Sequence, residues 1–206
     1  MIVLGLTGSI GMGKSTAARI LRRMGVPVCD SDAVVHGLLA RGGAAVAPIA
    51  AAFPGVVRDG AVDRQALGAA VFGNPAALSR LEGIIHPRVQ AAQRRFLRIL
   101  ARRRVPVAVL DIPLLYETRA DKRVDAVMVV SAPAAIQRAR VLARPGMTAA
   151  KFAGILARQM PDAEKQRRAD FIIPSGLGKA YTARVLREII TRAKRLSPRA
   201  SRRTGA

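Results

Sequence analysis

Five short apolar runs punctuate the chain, at residues 2–6 (IVLGL), 26–29 (VPVC), 105–115 (VPVAVLDIPLL), 124–130 (VDAVMVV) and 171–173 (FII). They are nearly continuous in apolar character and do not alternate, as expected of strands covered on both faces of a parallel sheet. Between the first two, "STAARILRRM" carries Ala, Ile and Leu at helical spacing and Gly25 supplies a stop, so the chain opens as strand, helix, strand. Further on, "PAAIQRARVLARPGMTAAKFAGILARQM" predicts a helix, a Pro145-Gly146 turn and a second helix capped by Thr148. A last helix is expected over 179–195, with Tyr181, Val185, Ile189 and Leu196 as its apolar stripe.

The stretch between Asp32 and Arg104 interrupts this alternation and reads as mostly helical. Asn74 is its clearest N-cap, with Pro75 at the first helical position, and the pattern breaks at His86-Pro87. There His86 reads as a half-buried imidazole at a helix break. Beyond it Val89, Ala92, Phe96 and Leu100 share one face. Residues 33–103 are therefore expected to form a helical insertion, the far wall of a cleft, in an α/β fold built on a five-stranded parallel sheet.

Length and composition narrow the picture. A chain of 206 residues fits one domain, and with 3% aromatic residues and no Trp its core must be aliphatic. A lone cysteine, Cys29, excludes an internal disulfide framework and fits a reducing compartment. The N-terminus lacks the pattern of a signal peptide and no apolar stretch is long enough to span a membrane, so a soluble, cytoplasmic protein is expected. A formal net charge of +22 points to anionic partners without choosing among them. The seven aromatics fall largely at core positions and offer no base-stacking platform, which argues against a specific nucleic-acid reader. The basic tail, 197–206, lacks apolar periodicity and is expected to be a disordered, solvated polycation.

Candidate chemistry starts directly behind the first strand. Gly8-Ser-Ile-Gly-Met-Gly-Lys14-Ser15 satisfies G-x-x-x-x-G-K-[ST] at every fixed position, with a strand before it and a helix after it. Glycines let the backbone curl so that N–H groups face phosphate oxygens, and the helix N-terminus adds partial positive charge. Lys14 can then reach the β- and γ-phosphates of a nucleoside triphosphate, while the Ser15 hydroxyl can ligate Mg²⁺. Asp30 ends the second strand, on the sheet edge that should carry the loop; with one strand between, the separation would be about 10 Å from a strand spacing of about 4.8 Å. An aspartate there can orient an attacking hydroxyl and take its proton. Both Asp30 and Asp32 could instead cap the following helix. Asp111 ends "VAVLD" as a Walker B aspartate does, and Arg138 and Arg144 could neutralise charge on transferring phosphate.

These pieces together resemble one family, dephospho-CoA kinase. The likeness rests on "LTGSIGMGKST" at 6–16, "VCDSDAVVH" at 28–36, "LEGIIHPRV" at 81–89, "LDIPLLYE" at 110–117 and "ARQMPDAEKQRRADFII" at 157–173. The resemblance implies a three-layer P-loop kinase fold, with core 1–32, 104–137 and 166–196, a CoA-binding helical insertion 33–103 and a helical lid 138–165. It implies phosphorylation by ATP, with Mg²⁺, of the ribose 3′-hydroxyl of dephospho-CoA. Gly8, Gly11, Met12, Gly13, Lys14, Ser15, Thr16 and Arg144 would bind ATP. Lys14, Asp30 and Arg138 would serve catalysis, Asp32, His86, Pro87 and Arg88 the acceptor, and Ser15 and Asp111 the metal. At 174–178 this chain has "PSGLG" where many relatives have a more polar turn, which leaves backbone contacts to adenine there.

Overall fold

The structure is a computed structural model and describes residues 1–198. In chain order its elements begin with strand β1 (Ile2–Thr7), helix α1 (Lys14–Arg23) and strand β2 (Val28–Asp30). Next come α2 (Ser31–Leu39), α3 (Val46–Ala52), the short strands β3 (Val57–Arg58) and β4 (Ala61–Val62), α4 (Arg64–Val71) and α5 (Pro75–Arg102). Then follow β5 (Val107–Asp111), a 3-10 turn (Ala120–Arg123), β6 (Ala126–Ser131), α6 (Ala134–Leu142) and α7 (Ala149–Ala157). The chain closes with α8 (Asp162–Arg168), β7 (Phe171–Pro174) and α9 (Lys179–Ala193). Most of the expected basic tail lies outside the described residues.

By its internal contacts the chain divides into two compact units, Met1–Cys29 with Leu100–Ala206, and Asp30–Ile99. The first is organised by the five-stranded sheet, in the order β2-β5-β1-β6-β7, with β1 parallel to both of its neighbours and β6 parallel to β7. All five expected runs supply a strand. The third run is cut short: β5 stops at Asp111, because Pro113 has no N–H to continue a ladder. Of the apolar residues beyond it Ile112 and Leu115 are still buried, while Leu114 is exposed.

On one sheet face Leu4, Leu6, Val109 and Met128 meet Ala17, Ala18 and Leu21 of α1 and Leu186, Ile189 and Ile190 of α9. Two aspartates fasten the strands from their starts. Asp125 accepts from the Val3 N–H at 2.7 Å, and Asp170 accepts from the Val127 N–H at 2.8 Å. Each thereby fixes the register of a strand far away in sequence. Among the described residues no helix is long and apolar enough to cross a membrane.

The second unit has its own core of Leu39, Ile49, Phe53, Val56, Val62 and Leu67. It contains a β-hairpin, β3–β4, that helical expectations for 33–103 overlooked. The signal was present: Asp59-Gly60 sits between Val57-Arg58 and Ala61-Val62, and both turn residues adopt positive φ, 49° and 75°, as a tight two-residue hairpin turn demands. Asn74 caps α5 as expected, accepting from the Ala77 N–H at 3.0 Å. The expected break at His86-Pro87 does not occur: α5 runs on through Pro87, and His86 is exposed on it. Pro87 lacks the N–H owed to the carbonyl one turn back. Beside that defect the Arg88 guanidinium donates to the Ile84 carbonyl at 2.7 Å, and to the Ala44 carbonyl at 3.1 Å, which ties the helix to the α2–α3 loop.

Candidate active site

The loop between β1 and α1 is a curled backbone held from outside. Gly11 and Gly13 adopt φ of 78° and 92°, which side-chain-bearing residues resist, so the glycines of the motif are required by conformation. Three consecutive carbonyls are drawn away from the curl. That of Ile10 accepts from the Gln137 side chain at 2.7 Å, that of Gly11 from Arg140 at 3.5 Å, and that of Met12 from the Ser175 hydroxyl at 2.5 Å. Met12 also places its sulfur 3.2 Å from the Ala132 N–H. With its carbonyls turned outward, a loop of this kind turns the N–H groups of its residues inward, the arrangement of an anion nest.

Helix α1 continues that nest. Its first turn has no side-chain cap and no acidic residue. A helix start normally leaves its first N–H groups in need of acceptors, and here the chain provides none from a cap. An external anion completes such an end. Lys14, the first residue of α1, reaches Asp111 at 2.6 Å, with side chains only 15% and 3% exposed. The parallel register of β1 and β5 sets Asp111 opposite Leu6 at the root of the loop, which is why these two charges meet.

Gly8, Gly11, Met12, Gly13, Lys14, Ser15, Thr16 and Asp111 therefore lie around one curl and its adjoining strand end. Ser15 is exposed at the start of α1. Asp30 is the N-cap of α2: its Oδ1 accepts from the N–H groups of Asp32 and Ala33 at 3.0 and 3.1 Å. Asp32 is exposed in the first turn and is not the cap. His86, Pro87 and Arg88 lie on α5 in the second unit, with Arg88 bonded as described. Arg138 on α6 and Arg144 in the following turn are exposed.

Sequence reasoning passed over Arg140, Gln137, Gln159 and Ser175. Arg140 donates to the Ser175 hydroxyl at 3.0 Å and to its carbonyl at 2.8 Å, and so joins α6 to the segment after β7. Its only sequence signal is helical phase, about one turn on from the buried Gln137 and next to the buried Val141. Near this junction an apolar cavity of about 440 Å³ opens at the ends of β6 and β7, lined by Pro133, Ile136, Ile172, Pro174 and Leu177.

The last buried charge is Lys165 on α8, fully inaccessible and 2.9 Å from Glu117, whose side chain is 19% exposed. Burial by itself would raise the Glu117 carboxyl, but Lys165 and the N–H of Met160 outweigh it and hold the group below its ordinary range. This pair ties the "LDIPLLYE" segment to the residues that follow α7.

Comparison with known proteins decides what kind of loop this is. The sequence model of dephospho-CoA kinase matches residues 2–178. The chain belongs to the dephospho-CoA kinase family. The dephospho-CoA kinase of Paramagnetospirillum magneticum is 66% identical over 166 residues, covering 81% of this chain and 78% of that one. That of Rhodospirillum rubrum is 55% identical over 94% of this chain and 92% of its own. Among solved structures, dephospho-CoA kinase from Campylobacter jejuni superposes with a TM-score of 0.62 at 25% identity, over 93% of this chain and 96% of that chain. The five-stranded parallel sheet with its glycine loop is accordingly a P-loop kinase fold, and the chain is an ATP-dependent kinase.

Proposed function

We propose that this family member transfers the γ-phosphoryl group of ATP to the 3′-hydroxyl of the ribose of dephospho-CoA, giving coenzyme A and ADP. One observation carries the nucleotide half of this reading: the uncapped, acid-free start of α1 behind a loop whose Ile10, Gly11 and Met12 carbonyls are held from outside. Gly8 and Gly11 to Thr16 would hold the phosphates, with Lys14 exchanging part of its bond to Asp111 for the β- and γ-oxygens. The base of ATP would lie against Pro174–Gly178, where the apolar cavity offers flat walls.

In the transfer step the Asp30 carboxylate orients the 3′-hydroxyl and takes its proton as the oxygen bonds to the γ-phosphorus. The bond from that phosphorus to the β–γ bridging oxygen breaks, and ADP leaves with the electron pair. The same carboxylate caps α2, accepting both cap bonds on Oδ1. We assign Asp32, His86, Pro87 and Arg88 to the acceptor, within an insertion of residues 33–103. The hairpin 138–165 serves as lid, with Arg138 and Arg144 countering charge that develops on the phosphoryl group.

The residues at the loop suit Mg²⁺. Ser15 and Asp111 offer hard oxygen ligands, and no cluster of three His, Cys, Asp or Glu exists among the described residues. That set fits an ion bound by one or two protein groups together with substrate phosphates. When bound, it supplies charge neutralisation on the β- and γ-phosphate oxygens.

Asp30→Asn tests the mechanism cleanly, because Asn caps a helix as well as Asp does. With dephospho-CoA as acceptor, kcat should fall about 10²- to 10⁴-fold while melting temperature and KM for ATP barely move. A variant that keeps kcat removes Asp30 from the chemistry. Running the native chain with AMP, shikimate and pantothenate beside dephospho-CoA, and locating the phosphate by NMR, tests the acceptor itself.

A further inference from the structure

Both main-chain polar atoms of Ile10 are held by glutamine side chains from one distant stretch of chain. The carbonyl accepts from Nε2 of Gln137, and the N–H donates to Oε1 of Gln159 at 3.0 Å. The two amides cannot exchange roles, since a carbonyl needs the NH₂ end and an N–H needs the oxygen. Gln137 stands in the first turns of α6, and Gln159 lies just beyond α7. Helix α6 and the segment just after α7 therefore hold the phosphate loop at a single residue, Ile10, through both of its main-chain polar atoms.

Two further facts say that this grip shapes the loop. Gln137 is buried, on the same face of α6 as Val141, where an aliphatic residue would fill space without the penalty of desolvating an amide. Gly11 presses on that same face: a side-chain carbon added there would lie 2.5 Å from Val141 and 3.0 Å from the Gln137 carbonyl. The helix thus meets the loop by contact at Gly11 and by hydrogen bonds at Ile10. Gln159 also draws the Ile10 N–H away from the nest, and the Met12 N–H donates to the Ser9 carbonyl at 3.1 Å, so the nest falls to the other N–H groups from Gly11 into the start of α1.

We propose that Gln137 and Gln159 are positioning residues for phosphoryl transfer. They fix the curl at Ile10, so that the N–H groups after it keep their directions as charge builds on the transferring phosphate. Donors held in place before the reaction need no reorganisation during it, and small displacements of them are costly. The proposal rests on the loop being the ATP site. Neither glutamine touches the reacting atoms.

The test uses the full chain with ATP and dephospho-CoA, comparing Gln137→Met, Gln159→Met, Gln137→Glu and Gln159→Glu, with Lys14→Ala as control. Each Met variant should lower kcat about 10-fold at saturating ATP and leave KM for dephospho-CoA within about twofold. Gln159→Glu keeps the acceptor for the Ile10 N–H and should stay within about threefold of native kcat. Gln137→Glu sets a carboxylate against a carbonyl and should lose at least as much as Gln137→Met.

That asymmetry is what packing alone would not produce. Met variants with native kcat, or Glu variants equal to one another, overturn the proposal; should a Met variant fail to fold, the Glu pair decides. If Lys14→Ala is inactive while the glutamine variants are native-like, only this inference falls. If Lys14→Ala keeps near-native turnover, the loop is not the ATP site and both readings fall.

Discussion

The two compact units use polar side chains in opposite ways. Within residues 30–99, Asp30, Asp63 and Asn74 each close a bond to backbone N–H groups two or three residues on, capping α2, α4 and α5. In the other unit Thr148 caps α7, but α1, α6, α8 and α9 begin without a side-chain cap. Polar side chains there reach across the chain instead: Gln159 to Ile10 spans 149 residues, Ser175 to Met12 spans 163, and Asp125 to Val3 spans 122. The first strategy makes α2, α4 and α5 self-sufficient at their starts, with α3 the uncapped exception. The second leaves a helix end open for a ligand and makes the loop around it a product of the whole fold.

If that contrast is right, the largest effect should come where the open helix end meets the substrate. Lys14→Ala is expected to lower turnover with dephospho-CoA by about 10³-fold, the scale of losing a charged group aimed at developing negative charge. Near-native rates would erase the distinction between the open end of α1 and the capped ends elsewhere.

Next in size is a cross-chain contact with no substrate role. Glu117→Ala strands the fully inaccessible Lys165 ammonium and should cost about 2–3 kcal/mol of stability by denaturant titration, less than a wholly buried pair because Glu117 reaches solvent. Its pH signature is directional. The folded carboxyl lies below the ordinary 4.5 of the unfolded chain, so on acidification the unfolded chain takes up the proton first. This contribution is complete above about pH 4.5 and is lost as pH falls through the folded value. Glu117→Gln should therefore flatten the acid limb of the stability curve, and identical slopes would break the account.

The smallest effect belongs to the local strategy. Asn74→Ala removes one cap and should cost about 1 kcal/mol, with kcat unchanged. A loss as large as that of Glu117→Ala would mean that the second unit is no more locally built than the first.

The same contrast explains what could be read in advance. Asn74-Pro75 and Thr148 announce their helices, because a cap and the helix it serves are neighbours in sequence. Asp59-Gly60 announced a hairpin as plainly and was passed over. His86-Pro87 misled, because the residues that keep α5 continuous include a bond from Arg88 to Ala44 in another loop. Asp30 was legible as both cap and candidate base, since its place at a strand end serves either. Arg140 was indistinguishable from Arg138 and Arg144 until the buried face of α6 was known.

Read alone, the sequence determined the five strands of the main sheet, the glycine loop with Lys14 and Ser15, and the family resemblance, since each is written in residues that are adjacent or at fixed short spacing. Tertiary structure alone decided which partners hold the loop in shape: Gln137, Arg140, Gln159 and Ser175, and Asp111 for Lys14. A hydrogen bond depends on a few tenths of an ångström between atoms, and separations of 35 to 163 residues leave no local pattern from which that distance can be read.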